Sequence, residues 1–378
     1  MKKVAIYRNQ LFKLSETFIV NQALSIKNFD VEFIGREAIN PPPSPSIQFK
    51  VSTSTSGGIA SRIGNAYQAI TMSQRKLLQL TQNQQADIVH AHFAVDGLYA
   101  LNYARKLDIP LFTTLHGFDV TTSRKHFFLS KSPAWINYAL FQKRLIQNGQ
   151  RFLCVSDYIR QKAIEAGFHE NKTLTHRIGI DVEKYQPNGL EQKDRTIIHV
   201  GRLVEKKGTE ILIDAINIIK HRLDGYQLHI IGDGPLRNYL SSKIKALKLD
   251  NHIKFLGEMP HSDVIDKIKT ASFAVVPSVK AKSGDCEGLP TVIMEAAAFS
   301  LPVIGTFHSG IPEAIIDGKT GFLVKERDPV SLSHRIMQLI ESENLQSSFG
   351  AAGRELMKRE FNLVTQTEKL EKMYSEFL

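Results

Sequence analysis

The sequence predicts an α/β protein built from two doubly wound parallel sheets, one in each half of the chain, facing each other across a cleft. Three observations predict it. Short runs rich in β-branched residues recur along the whole chain with helical stretches between them, the pattern of parallel βαβ units. Most of these runs lack a clean apolar–polar alternation, as strands buried on both faces do. The pattern occurs twice, and 378 residues suit two domains of ordinary size.

In the first half the strand candidates are Val4–Arg8, Val31–Arg36, Asp87–Phe93, Leu111–His116, Phe152–Ser156 and Leu174–Gly179. In the second half they are Ile197–Gly201, Gln227–Gly232, Ile253–Leu256, Phe273–Pro277, Pro302–Thr306 and Gly321–Val324. Pro187-Asn188-Gly189 breaks structure before the second set begins. The Pro41–Pro45 run through Gly57-Gly58 reads as a loop. The last stretch, Phe361–Leu378, reads as an amphipathic helix with Leu363, Leu370, Met373, Tyr374 and Phe377 on its apolar side. The expected domains are therefore 1–183, 184–360, and a final helix over 361–378 that packs back on the first domain.

Composition narrows the function classes. No stretch of 18 or more apolar residues is present, so no spanning helix is expected. Met1-Lys2-Lys3-Val4-Ala5-Ile6 reads as a first strand and not as a signal peptide. Only Cys154 and Cys286 occur, which argues against a disulfide framework and fits a reducing cytoplasm. The net charge is +10, and residues 1–180 hold 22 Lys/Arg against 11 Asp/Glu while residues 181–378 are almost neutral. A basic half can attract nucleic acid, an anionic lipid surface or a phosphorylated substrate, or be no more than a soluble surface.

The most informative segment is Glu287-Gly288-Leu289-Pro290-Thr291-Val292-Ile293-Met294-Glu295. Pro290 suits the first position of a helix. Glu287 then lies in the loop before the helix and Glu295 about a turn and a half inside it. Backbone N–H groups at such a start can hold a phosphate, with a carboxylate on either side to grip hydroxyls. Hydroxyls flanking phosphates describe a nucleotide sugar.

Other constellations sit just after strands, where open α/β sheets bind ligands. Gly201-Arg202 with Lys207-Gly208 offers two cations that could stabilise a departing diphosphate; alone, it could be a solvated loop. Gly232-Asp233-Gly234-Pro235 permits a tight turn and close backbone approach to a ligand, or is a plain turn. No G-x-G-x-x-G follows the first strand, which counts against a nicotinamide enzyme. His116-Gly117-Phe118-Asp119 puts an imidazole and a carboxylate at a strand end. His90-Ala91-His92 shares one strand face but lacks a third ligand for zinc. Ser15 or Thr17 can cap a helix after the first strand. Asp285-Cys286-Glu287 could hold a divalent ion between phosphates. The preferred reading is metal-independent, with no cofactor, because Arg202, Lys207 and a helix start already neutralise a diphosphate.

Together these motifs resemble those of the family 4 glycosyltransferases, retaining enzymes with two facing Rossmann-like domains, the GT-B architecture. The resemblance is carried in the second half by the segments above with Phe255-Leu256-Gly257, Gly310-Ile311-Pro312-Glu313 and Gly318–Leu323, and more thinly in the first half by Leu14–Ile19, His90–Phe93 and His116–Asp119. It is similar to bacterial exopolysaccharide, capsule and colanic-acid-type transferases. The resemblance implies catalytic roles for His116, Asp119, Glu287, Arg202 and Lys207. It implies a donor site of Ser15, Gly201, Arg202, Lys207, Gly232, Gly234, Met259, Glu287, Gly288, Leu289, Pro290 and Glu295, with Glu295 on the ribose. Where relatives carry a glycine-rich loop after the first strand, Ser15-Glu16-Thr17 stands here. The implied partners are a nucleotide-sugar donor, a UDP-sugar by preference, and a saccharide or lipid-linked saccharide acceptor.

For the acceptor side, Lys125, Phe127, Phe128, Lys131 and Trp135, with Arg62, Arg75 and Lys76, suit an interfacial helix on anionic lipid at the cytoplasmic face of the inner membrane; aromatic stripes at helical spacing also occur in cores. Cys286, beside Glu287, is expected to line the donor pocket and to be protected from alkylation by donor. The rival readings are a sugar-nucleotide epimerase of the same fold, an inactive scaffold subunit and a basic nucleic-acid binder. No nucleic-acid-binding module is recognisable.

Overall fold

The computed structural model describes residues 1–53, 58–187 and 194–378, with 59–62 by backbone alone. Gly57 of the first loop and Asn188-Gly189 of the breaking tripeptide lie outside the described residues. Two compact units emerge: one comprises Met1–Gly179 with Leu363–Leu378, the other Ile180–Asn362.

The first unit holds a seven-stranded parallel sheet. Its strands are β1 Lys3–Leu11, β2 Asp30–Ala38, β3 Phe49–Val51, β4 Ile88–His92, β5 Leu111–Leu115, β6 Arg151–Cys154 and β7 Thr173–Thr175, in the order β3-β2-β1-β4-β5-β6-β7. The second unit holds β8 Thr196–Val200, β9 Gln227–Ile231, β10 Ile253–Gly257, β11 Phe273–Val276, β12 Val303–Thr306 and β13 Gly321–Val324, in the order β10-β9-β8-β11-β12-β13. In both, the order reverses beside the first strand, at β1/β4 and at β8/β11. That is the topological switch point of a doubly wound, Rossmann-like sheet, where ligands bind beyond the carboxyl ends of the strands.

Burial explains the unalternated strand sequences. Every residue of β4, β5, β12 and β13 is buried, because helices cover both faces. The sequence reading missed β3. It is a three-residue edge strand, Phe49–Val51, paired to β2 alone, inside the segment read as a loop, and too short to show a period. It also stopped β1 at Arg8, whereas β1 runs to Leu11 and pairs with β2 as far as Ala38. That extension carries Asn9, Gln10 and Leu11 along the sheet's carboxyl edge.

The C-terminal helix, Leu363–Ser375, belongs to the first unit. Leu370 and Tyr374 join Phe29, Phe112 and Leu153 in its core, with Met373 and Phe377 packed against them. The Tyr374 hydroxyl lies 2.5 Å from Nδ1 of His90. Glu371 accepts hydrogen bonds from the backbone N–H groups of Lys27 and Asn28 at 2.7 and 2.6 Å. The helix is thus bound by apolar burial and by charge-assisted hydrogen bonds together. Replacing fully buried Leu370 by Ala is expected to cost about 2–5 kcal/mol, read as a lower urea midpoint; an unchanged midpoint would show that the helix adds nothing to this core.

Candidate active site

In the second unit, the chain leaves β8 through Gly201 and forms a short 3-10 turn at Glu205–Lys207. The turn aims two lysines at the loop that follows β11. Lys206 Nζ lies 3.1 Å from Asp285 Oδ1, and Lys207 Nζ lies 3.0 Å from Glu287 Oε1. Each carboxylate of the acid-x-acid pattern therefore faces its own ammonium. Gly201 makes room for this: a Cβ there would stand 3.1 Å from the stem of Lys207. Glu287 is buried. Burial alone would raise its carboxyl, but Lys207 and Lys206, with His308, draw it down to about 2. The backbone N–H of Glu287 donates to His308 Nε2 at 3.3 Å, and His308 Nδ1 lies 2.7 Å from Glu326 Oε1. His308 thus accepts at Nε2 and donates at Nδ1, one defined tautomer.

Gly288 and Leu289 follow, both buried. Their N–H groups donate to no group among the described residues. Unpaired amides in a buried loop are uncommon. The Arg202 side chain is exposed and makes no hydrogen bond or ion pair among the described residues, although its carbonyl accepts from Val204 N at 2.8 Å. Among the described residues the unit thus holds a lysine–glutamate ion pair whose Glu287 Oε1 has no geometrically sound hydrogen bond, two unpaired amides that follow it in the loop, and the unpaired Arg202 guanidinium on the loop that carries Lys207.

The helix carrying Glu295 runs Thr291–Ala298, with Pro290 as its cap residue. Pro290 therefore stands one position earlier than the sequence reading had it, because its ψ of 119° is extended. Glu295 is buried and paired: His261 Nε2 lies 2.9 Å from its Oε1. His261 opens the helix His261–Thr270, just past partly buried Met259. Gly232 and Gly234 serve the backbone. Leu203 donates to the Asp233 carbonyl at 2.9 Å. A Cβ on Gly232 would collide with the Gly201 carbonyl, and one on Gly234 would stand 2.6 Å from the Leu203 carbonyl. The two loops are in contact, and glycine is required for that closeness.

In the first unit, the equivalent edge gathers aromatic rings and histidines. His116, after β5, has Nε2 3.1 Å from His92 Nδ1. Its ring centroid lies 4.3 Å from that of Phe93 and 5.1 Å from that of Phe18. His92 in turn stacks on His90 at 4.6 Å. Burial, then the cationic Arg8 and neighbouring His90, holds His116 well below its ordinary value; burial holds His90 at about 3. The column is therefore neutral at pH 7. Phe93 adopts φ +72°, a strained conformation for an aromatic residue. It lies between His116 and Arg8, whose guanidinium is 4.4 Å from its centroid.

Asp119 does not point at a ligand. Its oxygens accept from the backbone N–H groups of Ala94 and Gly117, both at 2.9 Å. It joins the loops after β4 and β5, so it acts on the position of His116. Ser15 and Thr17 cap nothing: a 3-10 turn at Leu14–Glu16 runs straight into the helix Thr17–Leu24, with Glu16 at the cap position and no side-chain cap. Ser15 is exposed.

The residues offered for a membrane surface divide. Arg75, Lys76, Lys125, Phe128 and Lys131 are exposed, while Trp135 is partly buried. The side chain of Arg62 lies outside the described residues. Phe127 is buried, 5.7 Å from the Trp135 ring and 5.4 Å from that of Tyr138. It is a core residue, because its stretch folds as two helices, Arg124–Leu129 and Pro133–Asn148, packed on each other. No helix among the described residues is long and apolar enough to cross a membrane. Cys286 is 2% exposed, so the expected alkylation would report loop opening before it reported donor binding.

Sequence reasoning missed Lys206, His261, His308 and Glu326 in the second unit, and Arg8, Glu16 and Asp96 in the first. His308 was findable, since it stands two residues past a recognised strand, at the strand-end position that drew attention to His116. Arg8, Glu16 and Asp96 come from three separate elements, and their meeting has no signature in sequence.

Two Rossmann-like units, each with its polar cluster beyond the carboxyl ends of a switched parallel sheet, define a glycosyltransferase of GT-B fold. The family model "Glycosyl transferases group 1" matches residues 181–356, and "Glycosyltransferase Family 4" matches residues 22–184. WcaL of Salmonella typhimurium, named as a colanic acid biosynthesis glycosyltransferase, is 30% identical over 75% of this chain and 69% of its own. The amylovoran biosynthesis glycosyltransferase AmsK of Erwinia amylovora is 32% identical over 73% of this chain and 67% of its own. The aligned part is thus about two thirds of each relative. The chain belongs to this glycosyltransferase family. Among solved structures, Anabaena Alr3699/HepE in complex with UDP and glucose superposes with a TM-score of 0.78 at 19% identity, covering 99% of this chain and 100% of that one.

The Lys207–Glu287 pair makes a pH-dependent stability prediction. Lys207→Met leaves a buried carboxylate short of its main partner, a change that costs about 3–5 kcal/mol in buried pairs. Glu287's depressed value means that its stabilising share is present above the ordinary carboxylate range and is lost as pH falls toward about 2. In the variant this carboxyl protonates at higher pH. The gap between wild type and variant, measured by urea unfolding, should therefore be widest at pH 7 and narrow toward pH 4. A gap independent of pH would show that the pair carries no such energy.

Proposed function

We propose that the chain is a retaining hexosyltransferase. It takes a hexose from a nucleoside-diphosphate sugar, UDP-linked by preference, and delivers it to a growing glycan or lipid-linked saccharide in cell-surface polysaccharide synthesis. The observation that carries this reading is the contrast in the second unit: a buried Lys207–Glu287 ion pair, with an Arg202 guanidinium on the same loop as Lys207 and the amides of Gly288 and Leu289 all unpaired among the described residues. Such donors suit an anion whose charge grows during reaction. The UDP and glucose of Alr3699/HepE support the donor class. The names of WcaL and AmsK support a polysaccharide acceptor.

In this reading Arg202 and Lys207 hold the donor diphosphate. Glu287 and the amides of Gly288 and Leu289 hold the transferred sugar. Glu295, already accepting from His261, takes the ribose hydroxyls. Neutral His116 hydrogen-bonds the sugar near its reacting carbon, and Asp119 positions that histidine. Asp285, Glu287, Glu295 and Asp119 are each engaged, with lysines, His261 or backbone amides, and Glu16 and Asp96 with Arg8, which supports a mechanism without an enzyme nucleophile. The anomeric C–O bond to the diphosphate breaks, the acceptor oxygen bonds the same face, and the acceptor proton passes to the leaving diphosphate. The two lysines facing Asp285 and Glu287 support metal independence, since cations already occupy that carboxylate pair.

Arg202→Ala should lower kcat far more than it raises donor KM, because a contact strengthened in the transition state acts on kcat. Activity, followed as free UDP together with a new glycoside, should persist in EDTA. A loss confined to KM would reduce Arg202 to a binding residue. UDP release without a glycoside, or a glycoside absent altogether, would overturn the reading.

We also propose a peripheral, cytoplasmic-face membrane attachment. The exposed apolar residues Ile63, Tyr67 and Ile70 line one helix, and Phe128 and Leu129 another, among Arg75, Lys76, Lys125 and Lys131. Such a mixture suits anionic lipid. Binding to phosphatidylglycerol vesicles should be strong in low salt and weak at ~0.5 M, where screening is nearly complete beyond ~5 Å. Absence of binding in low salt would dispose of it.

A further inference from the structure

The first unit contains a cavity of about 270 Å³ at the carboxyl edge of β1 and β2. It is just below the usual small-molecule range of ~300–1,000 Å³, so it suits one sugar ring and not an extended chain. Phe93, Phe118 and Trp135 provide aromatic surface, and Arg8, Lys13 and Arg36 provide charge. Phe118 and Trp135 lie 5.6 Å apart, their rings tilted by 32°.

The three cations are not equivalent. Arg8 is saturated: Glu16 binds its Nη2 through both oxygens at 2.7 Å, and Asp96 binds its Nη1. Asp96 also accepts from Asn9 N at 2.9 Å and from Asn9 Nδ2 at 2.6 Å. Both carboxylates of the cavity are thus engaged inside the protein. Lys13 is left 4.0 Å from a Glu16 oxygen already held by Arg8. Among the described residues the Arg36 guanidinium reaches only Glu37, at 3.2 Å, and that same oxygen accepts from Gln10 at 2.9 Å. Its Nε is buried without a hydrogen-bond partner among the described residues. A buried unpaired donor is costly, and a guanidinium edge is matched by a carboxylate or phosphate.

We infer that this cavity is a subsite for an acidic sugar of the acceptor: a ring carrying a carboxylate or phosphate, seated against Phe118 and Trp135, with its anionic group read by Arg36 and Lys13. The inference rests on the proposed transferase function and adds the acceptor's charge to it. Arg36 and Lys13 are then specificity residues that separate an acidic acceptor from its neutral counterpart.

Trp135 is the chain's single tryptophan, so its fluorescence reports this cavity alone. Full-length protein, with and without saturating UDP, is titrated with methyl β-glucuronide, glucose 1-phosphate and neutral methyl β-glucoside. The expected result is a saturable change with at least one anionic ligand at no more than a tenth of the methyl glucoside concentration. Which of the two anions binds tighter identifies carboxylate or phosphate. The preference should weaken at least threefold in Lys13→Gln, a partly exposed position, and vanish in Lys13→Gln/Arg36→Gln; if the double variant does not fold, Lys13→Gln alone decides. Equal response to charged and neutral sugars, no response to any of them, or a preference unaltered by the substitutions would overturn the inference. So would a blue shift with phosphatidylglycerol vesicles that abolishes the sugar response, which would give the Trp135 ring itself to a lipid surface. UDP binding, followed by thermal shift in the same samples, reports the donor reading separately: its retention alongside a failed sugar titration sinks only the subsite.

Discussion

The second unit is organised around one ion pair, Lys207 with Glu287. A carboxylate in a buried loop is unfavourable unless a cation and hydrogen bonds compensate it. That requirement reaches outward through the fold. Lys207 must come from the turn after β8, so Gly201 must lack a side chain where the lysine stem passes. The turn is held by the loop after β9, which approaches so closely that Gly232 and Gly234 are needed as well. On the other side, His308 accepts the Glu287 amide and Ser309 hydrogen-bonds the Glu287 carbonyl. Loops after β8, β9, β11 and β12 thus converge on one carboxylate, and the amides of Gly288 and Leu289 are carried into place with it.

The first unit solves a related problem with a guanidinium. Arg8 is buried within β1 between Glu16 and Asp96, above the face of Phe93. An arginine cannot shed its proton in a protein, so two carboxylates must follow it inward. Phe93 accepts a strained φ at the same place. Its ring contacts this charged group and the ring of neutral His116. A permanent cation and an uncharged imidazole column can therefore stand close together, because burial and the nearby positive charge both oppose protonation of the histidines.

The strands were legible because burial on two faces writes long β-branched runs, and because each is bounded by glycine, proline or a polar turn. The 3-10 turn at Leu14–Glu16 and the edge strand Phe49–Val51 were not, since neither is long enough to show a period. Within the site, what could be read was what lies close in sequence: Glu287 with its glycine–leucine–proline loop, and Arg202 with Lys207. The direction of Asp119 could not be read. Its neighbours suggest a catalytic pair with His116, but its oxygens go to the amides of Ala94 and Gly117, and only the return of β4 beside β5 brings Ala94 there. Arg8 was passed over for the same reason, since Glu16 is eight residues away and Asp96 is eighty-eight.

Pairing separates the charges that build these clusters from those available to a ligand. Lys206, Lys207 and Arg8 each face a carboxylate at hydrogen-bond range. Their removal should damage loop geometry as well as any contact with substrate. Arg202, Lys13 and Arg36 are unpaired, distantly paired or incompletely satisfied. A cation held ready but uncompensated raises the local potential, and an incoming anion relieves that at no cost to an existing ion pair. The overall charge imbalance fits this division. The second half is nearly neutral although it carries the cluster read as the diphosphate site, and Lys206 and Lys207 there each face a carboxylate. The first half keeps an excess of basic residues, and Lys13 and Arg36 are where part of that excess meets a cavity.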